Sequence, residues 1–228
     1  MDKPLNAFAA YPSSPQQIGE TIRETIRRLK TLKPALSLNS WEAHDTAGRC
    51  LVDPILNEIV EVDFVLADIS KLNFNVVYEI GFAVGKNKRA LLIQNKGLHA
   101  DDRLAREVGI FDTIGYFSYE NSLDLSKWIS ELIDFSPLPV QKSNVNKLAP
   151  VYLLTPREKT ESEIRIFSRV KKEARLFFRS FVAGLSHALD KETLILQAGD
   201  DPIPIDLRDA VSMYSSPESI DKYIARFA

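Results

Sequence analysis

The run Asp63-Phe64-Val65-Leu66-Ala67-Asp68-Ile69 narrows the fold more than any other feature of this chain. A strand with one wet face alternates apolar and polar residues. A strand that is apolar at successive positions is covered on both faces, as in parallel sheets flanked by helices. The surrounding sequence fits that arrangement. Asn6 to Tyr11 reads as an opening strand that stops at Pro12-Ser13-Ser14-Pro15, and Arg89 to Gln94 reads as another buried strand. Between them Ile18, Ile22, Ile26 and Leu29 form one helical stripe, with Ser14 as the expected cap, Pro15 at the first helical position and Gln17 completing a capping box. A second helix is expected from near Cys50 to Val60 and a third over Asn75 to Gly85. A short strand over Phe111 to Tyr116 and a closing helix over Leu125 to Ile133 follow. Strands alternating with helices predict an α/β, flavodoxin-like open parallel sheet with helices on both faces over residues 1–140.

A chain of 228 residues has room for a second unit. Prolines and a polar run between Phe135 and Lys147 predict a linker over 141–148, followed by a smaller α/β domain over 149–228. There the chain begins again: Val151-Tyr152-Leu153-Leu154 stops at Pro156, and an amphipathic helix follows. Gly184 and Leu194-Ile195-Leu196-Gln197 lie ungapped on Gly81 and Leu91-Leu92-Ile93-Gln94. Both halves then end in a polar loop, an Asp-containing strand and a helix. On that register Val182 takes the place of Glu79, and the second half is too short for a counterpart of Asp63 to Asn75. The expectation is a reduced repeat without the first half's polar residues.

Several function classes are disfavoured. A net charge of -2 and a pI of about 6.0 give no basic surplus for nucleic acid. The one basic concentration, Arg165 to Arg179, has the spacing of a solvated helix face. Cys50 is the single cysteine, which excludes an intrachain disulfide and fits a reducing compartment. No apolar run nears the roughly 20 residues that cross a bilayer, and no leader pattern opens the sequence, so a cytoplasmic setting without membrane partners is expected. His44, His99 and His187 lack metal-ligand spacing, and no cofactor motif occurs. Gly81 to Asn87 imitates a phosphate loop but is one residue short and lies in a helix.

The chemistry concentrates between Ala67 and Lys86. The helix there is apolar nearly all round, with Val76, Val77, Ile80, Phe82, Ala83 and Val84, yet it carries the carboxylate of Glu79. An ionised carboxylate buried without partners costs several kcal/mol, so Glu79 is expected to face a crevice. Open parallel sheets form that crevice at the carboxyl ends of their strands. Asn75 stands one turn earlier on the same helix face, and the helix N-terminus favours the ionised form by roughly 0.3 to 1 kcal/mol. Gly81 and Gly85 each cost a helix about 1 kcal/mol, which close packing on the sheet would offset. Asp68 ends the preceding strand, where an acid either binds vicinal ribose hydroxyls or caps the loop. Asn73 and Asn75 are candidates for capping or ligand binding, with capping the stronger role for Asn75. Tyr11 and Ser13, at the end of the first strand, would form the far wall. Arg103 and Arg106, after the fourth strand, could reach a phosphate.

The pattern Asp68-Ile69-Ser70, Asn73-Phe74-Asn75-Val76, Tyr78-Glu79-Ile80-Gly81 and Gly85-Lys86 resembles nucleoside 2-deoxyribosyltransferase-like proteins and the related bacterial Toll/interleukin-1-receptor-like domains. The resemblance covers Asp63 to Gln94 in detail and the remainder in architecture. It implies that Glu79 attacks, or stabilises positive charge at, the anomeric carbon as a base departs. Asn73 stands where the deoxyribosyltransferases carry a second carboxylate, and Phe74 where the pattern commonly has proline. The resemblance therefore implies an N-glycosidase acting on a nucleotide, foremost an NAD-like dinucleotide, with no cofactor. Two alternatives stay open. One is a non-catalytic nucleotide sensor or interaction module, in a homo-oligomer or an antiviral defence or signalling complex; the other is deoxyribosyl transfer.

Overall fold

The computed structural model describes residues 4–44, 52–98, 114–137, 151–152, 180–191, 193–198, 211–214 and 222–223. The first part of the chain runs β1 (Leu5–Ala10), α1 (Gln16–Leu32), β2 (Leu36–Ser40), a single 3₁₀ turn (Trp41–Ala43), α2 (Val52–Glu61), β3 (Phe64–Asp68), α3 (Phe74–Gly85), β4 (Arg89–Asn95), β5 (Tyr116–Tyr119) and α4 (Ser122–Glu131). Its five strands are all parallel and lie in the order β2-β1-β3-β4-β5. This is the flavodoxin-like order, with the strand sequence reversing between β1 and β3.

Alternation along the strands divides the core in two. Ala7, Ala9, Phe64, Leu66, Leu91 and Ile93 pack with Ile18, Ile22 and Leu29 of α1 and Leu125 and Ile129 of α4. Phe8, Ala10, Val65, Ala67 and Leu92 pack with Ile55, Leu56 and Ile59 of α2 and the apolar side chains of α3. The sheet is thus covered on both sides, and β3 is buried at every position. At the edge, β2 buries Leu36, Leu38 and Ser40 and exposes Ser37 and Asn39. A search for continuous apolar runs overlooks such a strand, because its signal is strict alternation.

Three details depart from the sequence expectations. Pro15, in extended conformation, is itself the cap of α1 and no side chain caps that end; Ser14 sits one residue too early for its capping box with Gln17 to close. The strand expected over Phe111 to Tyr116 instead starts at Tyr116, because Gly115 adopts a left-handed φ of 74° that interrupts extended chain; residues 111–113 lie outside the described set. The closing helix starts at Ser122, capped by Asn121, whose side chain accepts from the amides of Leu123 and Asp124.

From the second half, the described residues include a three-stranded parallel sheet, β6 (Val151–Tyr152), β7 (Thr193–Ala198) and β8 (Val211–Tyr214), in the order β6-β7-β8. A helix over 180–188, α5, precedes β7. Residues 199–210, which carry the aspartates of the expected Asp-containing strand, lie outside the described residues. The linker at 141–148 and most of the basic stretch Arg165 to Arg179 lie outside the described residues.

The glycines of α3 also serve a different neighbour from the one expected. A Cβ on Gly81 would stand 2.0 Å from the carbonyl oxygen of Phe181, and one on Gly85 would stand 2.4 Å from Cβ of Ala188. Their close partner is α5, with backbone resting on backbone where a side chain would keep the helices apart. From Val76 to Gly85 every residue of α3 is buried, between the sheet and α5.

Candidate functional site

At the carboxyl edge of the sheet, beside the β1/β3 reversal, a cleft of about 750 Å³, counting the solvent in its mouth, is lined by residues from four places. Tyr11, Pro12 and Ser13 leave β1, Trp41 leaves β2, Val52, Ile55 and Leu56 come from α2, and Asn73, Asn75, Val76 and Glu79 come from the start of α3. Five of the residues singled out from sequence, Tyr11, Ser13, Asn73, Asn75 and Glu79, therefore share one cavity. Its lining of aromatic and apolar side chains with a few polar groups is that of a small-molecule cleft.

Local chemistry explains how α3 presents this face. Asn73 lies in extended conformation before the helix, and its side-chain oxygen accepts from the amides of Asn75, at 2.9 Å, and Val76, at 3.3 Å. Asn73, and not Asn75, is the cap. The Asn75 side chain is left on the cleft, one turn before Glu79. We expect Asn73→Ala to lower stability by about 1 kcal/mol, the usual cost of a lost cap. Urea titration would measure that loss, and ligand affinity should fall with it because α3 supplies four of the lining residues.

Glu79 is 7% exposed and is the one carboxylate among the described residues that line the cleft. The lining also carries an aromatic pair, with the rings of Tyr11 and Trp41 5.8 Å apart and tilted by 48°. Burial foremost, with Glu42 adding to it and Ser40 and Arg23 opposing, pushes the Tyr11 phenol up to about 12, so it keeps its proton at neutral pH. Arg23 of α1 forms a two-pronged ion pair with Glu42, at 2.8 and 2.9 Å, which ties the turn carrying Trp41 to the helix behind it.

Asp68 stands apart from this cleft. It is 1% exposed; Oδ1 accepts from the amide of Ser70 at 2.8 Å and Oδ2 from the hydroxyl of Tyr119 at 2.7 Å. The hydroxyl of Ser70 in turn accepts from the amide of Asn95 at 2.6 Å. The carboxylate thus ties together the ends of β3, β4 and β5 and caps its loop. With both oxygens engaged inside the protein, the expected ribose role for Asp68 is withdrawn. Arg103 and Arg106 lie outside the described residues.

Burial holds the Asp68 carboxyl above the ordinary aspartate value of 3.8, against the lowering influence of Tyr119 and Ser70. The folded state then retains a proton that the unfolded chain has released. The contribution of this group is complete below 3.8 and is lost as pH rises toward the folded-state value. Asp68→Asn should remove that fall, giving a flatter profile of unfolding free energy through the acid range. Denaturant titrations at a series of pH values would test this, and parallel slopes for the two proteins would contradict it.

Sequence reasoning missed Trp41 and the α2 residues of the cleft. The half-buried alternation of β2 was a usable signal for Trp41, since a strand lying beside β1 must end at the same edge as Tyr11. Among the described residues no cluster of three or more His, Cys, Asp or Glu side chains could hold a metal ion. None of their helices is long and apolar enough to cross a membrane.

No protein-family profile matches the chain, and no curated protein matches it. Among solved structures, the chain is similar to the CMP N-glycosidase BcmB of Clostridium botulinum, with 18% identity and a TM-score of 0.38, over 56% of this chain and 99% of that one.

Proposed function

We propose that this chain cleaves the bond between base and ribose in a nucleotide, with an NAD-like dinucleotide as substrate and Glu79 as nucleophile or electrostatic stabiliser. The observation that carries this reading is one carboxylate, on an otherwise apolar helix, placed in a cleft at the carboxyl edge of a flavodoxin-like sheet. In such a reaction the bond from C1′ to the base nitrogen breaks and the base leaves with the electron pair. The sugar then carries oxocarbenium character, which a carboxylate in a low-dielectric cleft stabilises or traps. Water supplies hydroxide to C1′, and its remaining proton passes to solvent or to the departing base.

The lining also bears on the base. A neutral base departs as an anion unless an acid protonates it, whereas the pyridinium of NAD departs as neutral nicotinamide. Among the described lining residues the ionisable side chains are Glu79 and Tyr11, and a phenol held at about 12 is a weak proton donor. A cationic base is the leaving group that this set can release without a second acid.

Incubation with NAD, NADP, CMP and a panel of other nucleotides and nucleosides, with released base separated by chromatography, tests the reading. Nicotinamide should appear from the dinucleotides ahead of any neutral base. Exchange of bases between deoxynucleosides would restore the deoxyribosyltransferase reading. Tight binding without release would leave the cleft as a non-catalytic nucleotide sensor.

A further inference from the structure

We infer that the helix and strand of the second half are a degenerate copy of α3 and β4, docked on α3 as a second subunit would dock across a two-fold axis. The α3 face at Gly81 and Gly85 is, on this reading, a self-complementary interface that the chain fills from within. The inference does not depend on the reaction proposed above.

The first observation is local geometry. Adding 103 to a residue number carries Gly81 to Gly184 and Leu91 to Leu194. The same shift carries Asn87 to Asp190, the two non-glycine residues of the described chain with positive φ, at 61° and 53°. It also reproduces the helix end bond by bond. Lys86, Asn87 and Lys88 donate to the carbonyls of Phe82, Val84 and Ala83, and Leu189, Asp190 and Lys191 donate to those of Leu185, His187 and Ser186. Many helices end in this left-handed turn; what the shift of 103 adds is that both endings fall six residues after the paired glycines Gly81 and Gly184, each with a residue able to take the left-handed conformation, Asn87 or Asp190.

The second observation is how the copies meet. A Cβ on Gly81 would lie 2.0 Å from the carbonyl oxygen of Phe181 and 3.1 Å from the amide nitrogen of Leu185. A Cβ on Gly184 would lie 2.0 Å from the carbonyl oxygen of Tyr78 and 2.9 Å from the amide nitrogen of Phe82. Under the shift of 103 these are the same contacts with the partners exchanged. Gly85 faces Ala188, its own counterpart. Reciprocal contacts with a residue against its own mate define an isologous interface. Two of the differences between the copies break the symmetry of function and contact. Val182 replaces Glu79, leaving the second copy without the carboxylate, and Tyr78 bonds Nδ1 of His187, which stands at the register of Val84.

An isologous face that loses its internal occupant pairs with itself. Wild-type protein should sediment at the single-chain mass of 25.7 kDa across loading concentrations. Gly184→Leu drives a side chain into the Tyr78 carbonyl and should undock α5, so that the bared α3 faces pair and the mass doubles. Adding Gly81→Leu should return it to the single-chain value. A parallel measurement uses milder changes. Gly81→Ala and Gly184→Ala should each speed amide exchange in both α3 and α5, by similar factors. A monomeric Gly184→Leu protein with unchanged exchange in α3 would overturn the inference, and so would unequal alanine variants in which only one helix loosens.

Discussion

Glu79→Gln is expected to reduce base release by at least about a hundredfold while leaving the domain folded. The substitution keeps the size of the side chain and removes the charge that would meet the oxocarbenium-like sugar. Its structural cost should be small, since the residue lies on the cleft and its neighbours Val76, Val77 and Ile80 supply the packing of α3. Turnover and melting temperature need to be measured on the same preparation. A folded variant with near-normal turnover would remove Glu79 from the chemistry, and a variant that melts far earlier would make its role structural.

Ile80→Ala, one residue further along α3, should do the reverse. Ile80 is fully buried in the core formed with Phe8, Val65 and Leu92. Truncating such a side chain leaves a cavity and typically costs about 2 to 5 kcal/mol. That is a large share of the roughly 5 to 15 kcal/mol that keeps a typical domain folded. Residual folded protein should bind ligand more weakly, because the packing of α3 fixes Glu79, Asn75 and Asn73 relative to the aromatic pair. The midpoint of denaturant unfolding measures the effect, and a loss below about 1 kcal/mol would mean that α3 is not held by the sheet as described.

The contrast between these neighbours also shows what was legible in the sequence. The strand β3 and the helix α3 could be read because their apolar runs are continuous, and burial on both sides leaves no other explanation for such runs. The placement of Glu79 in a crevice followed from the cost of hiding a carboxylate among valines. Other features depended on residues far away in the chain. Asp68 is claimed by Tyr119, 51 positions later, and no local pattern distinguishes an acid that binds sugar from one that binds a tyrosine. The partner of Gly81 and Gly85 is a helix about a hundred residues on, so packing against the sheet was the natural but incorrect expectation. The cap of α3 turned on which of two asparagines precedes the first orphan amide, a choice set by backbone conformation at Asn73.

The most direct test of the Glu79 cleft as a nucleotide site is a crystal structure of the Glu79→Gln protein soaked with intact NAD. The account predicts dinucleotide in the cleft, the nicotinamide ribose with C1′ against the residue 79 side chain, and a base near Tyr11 and Trp41. Dinucleotide bound at another edge of the sheet, or in the cleft with its sugar turned away from residue 79, would contradict it.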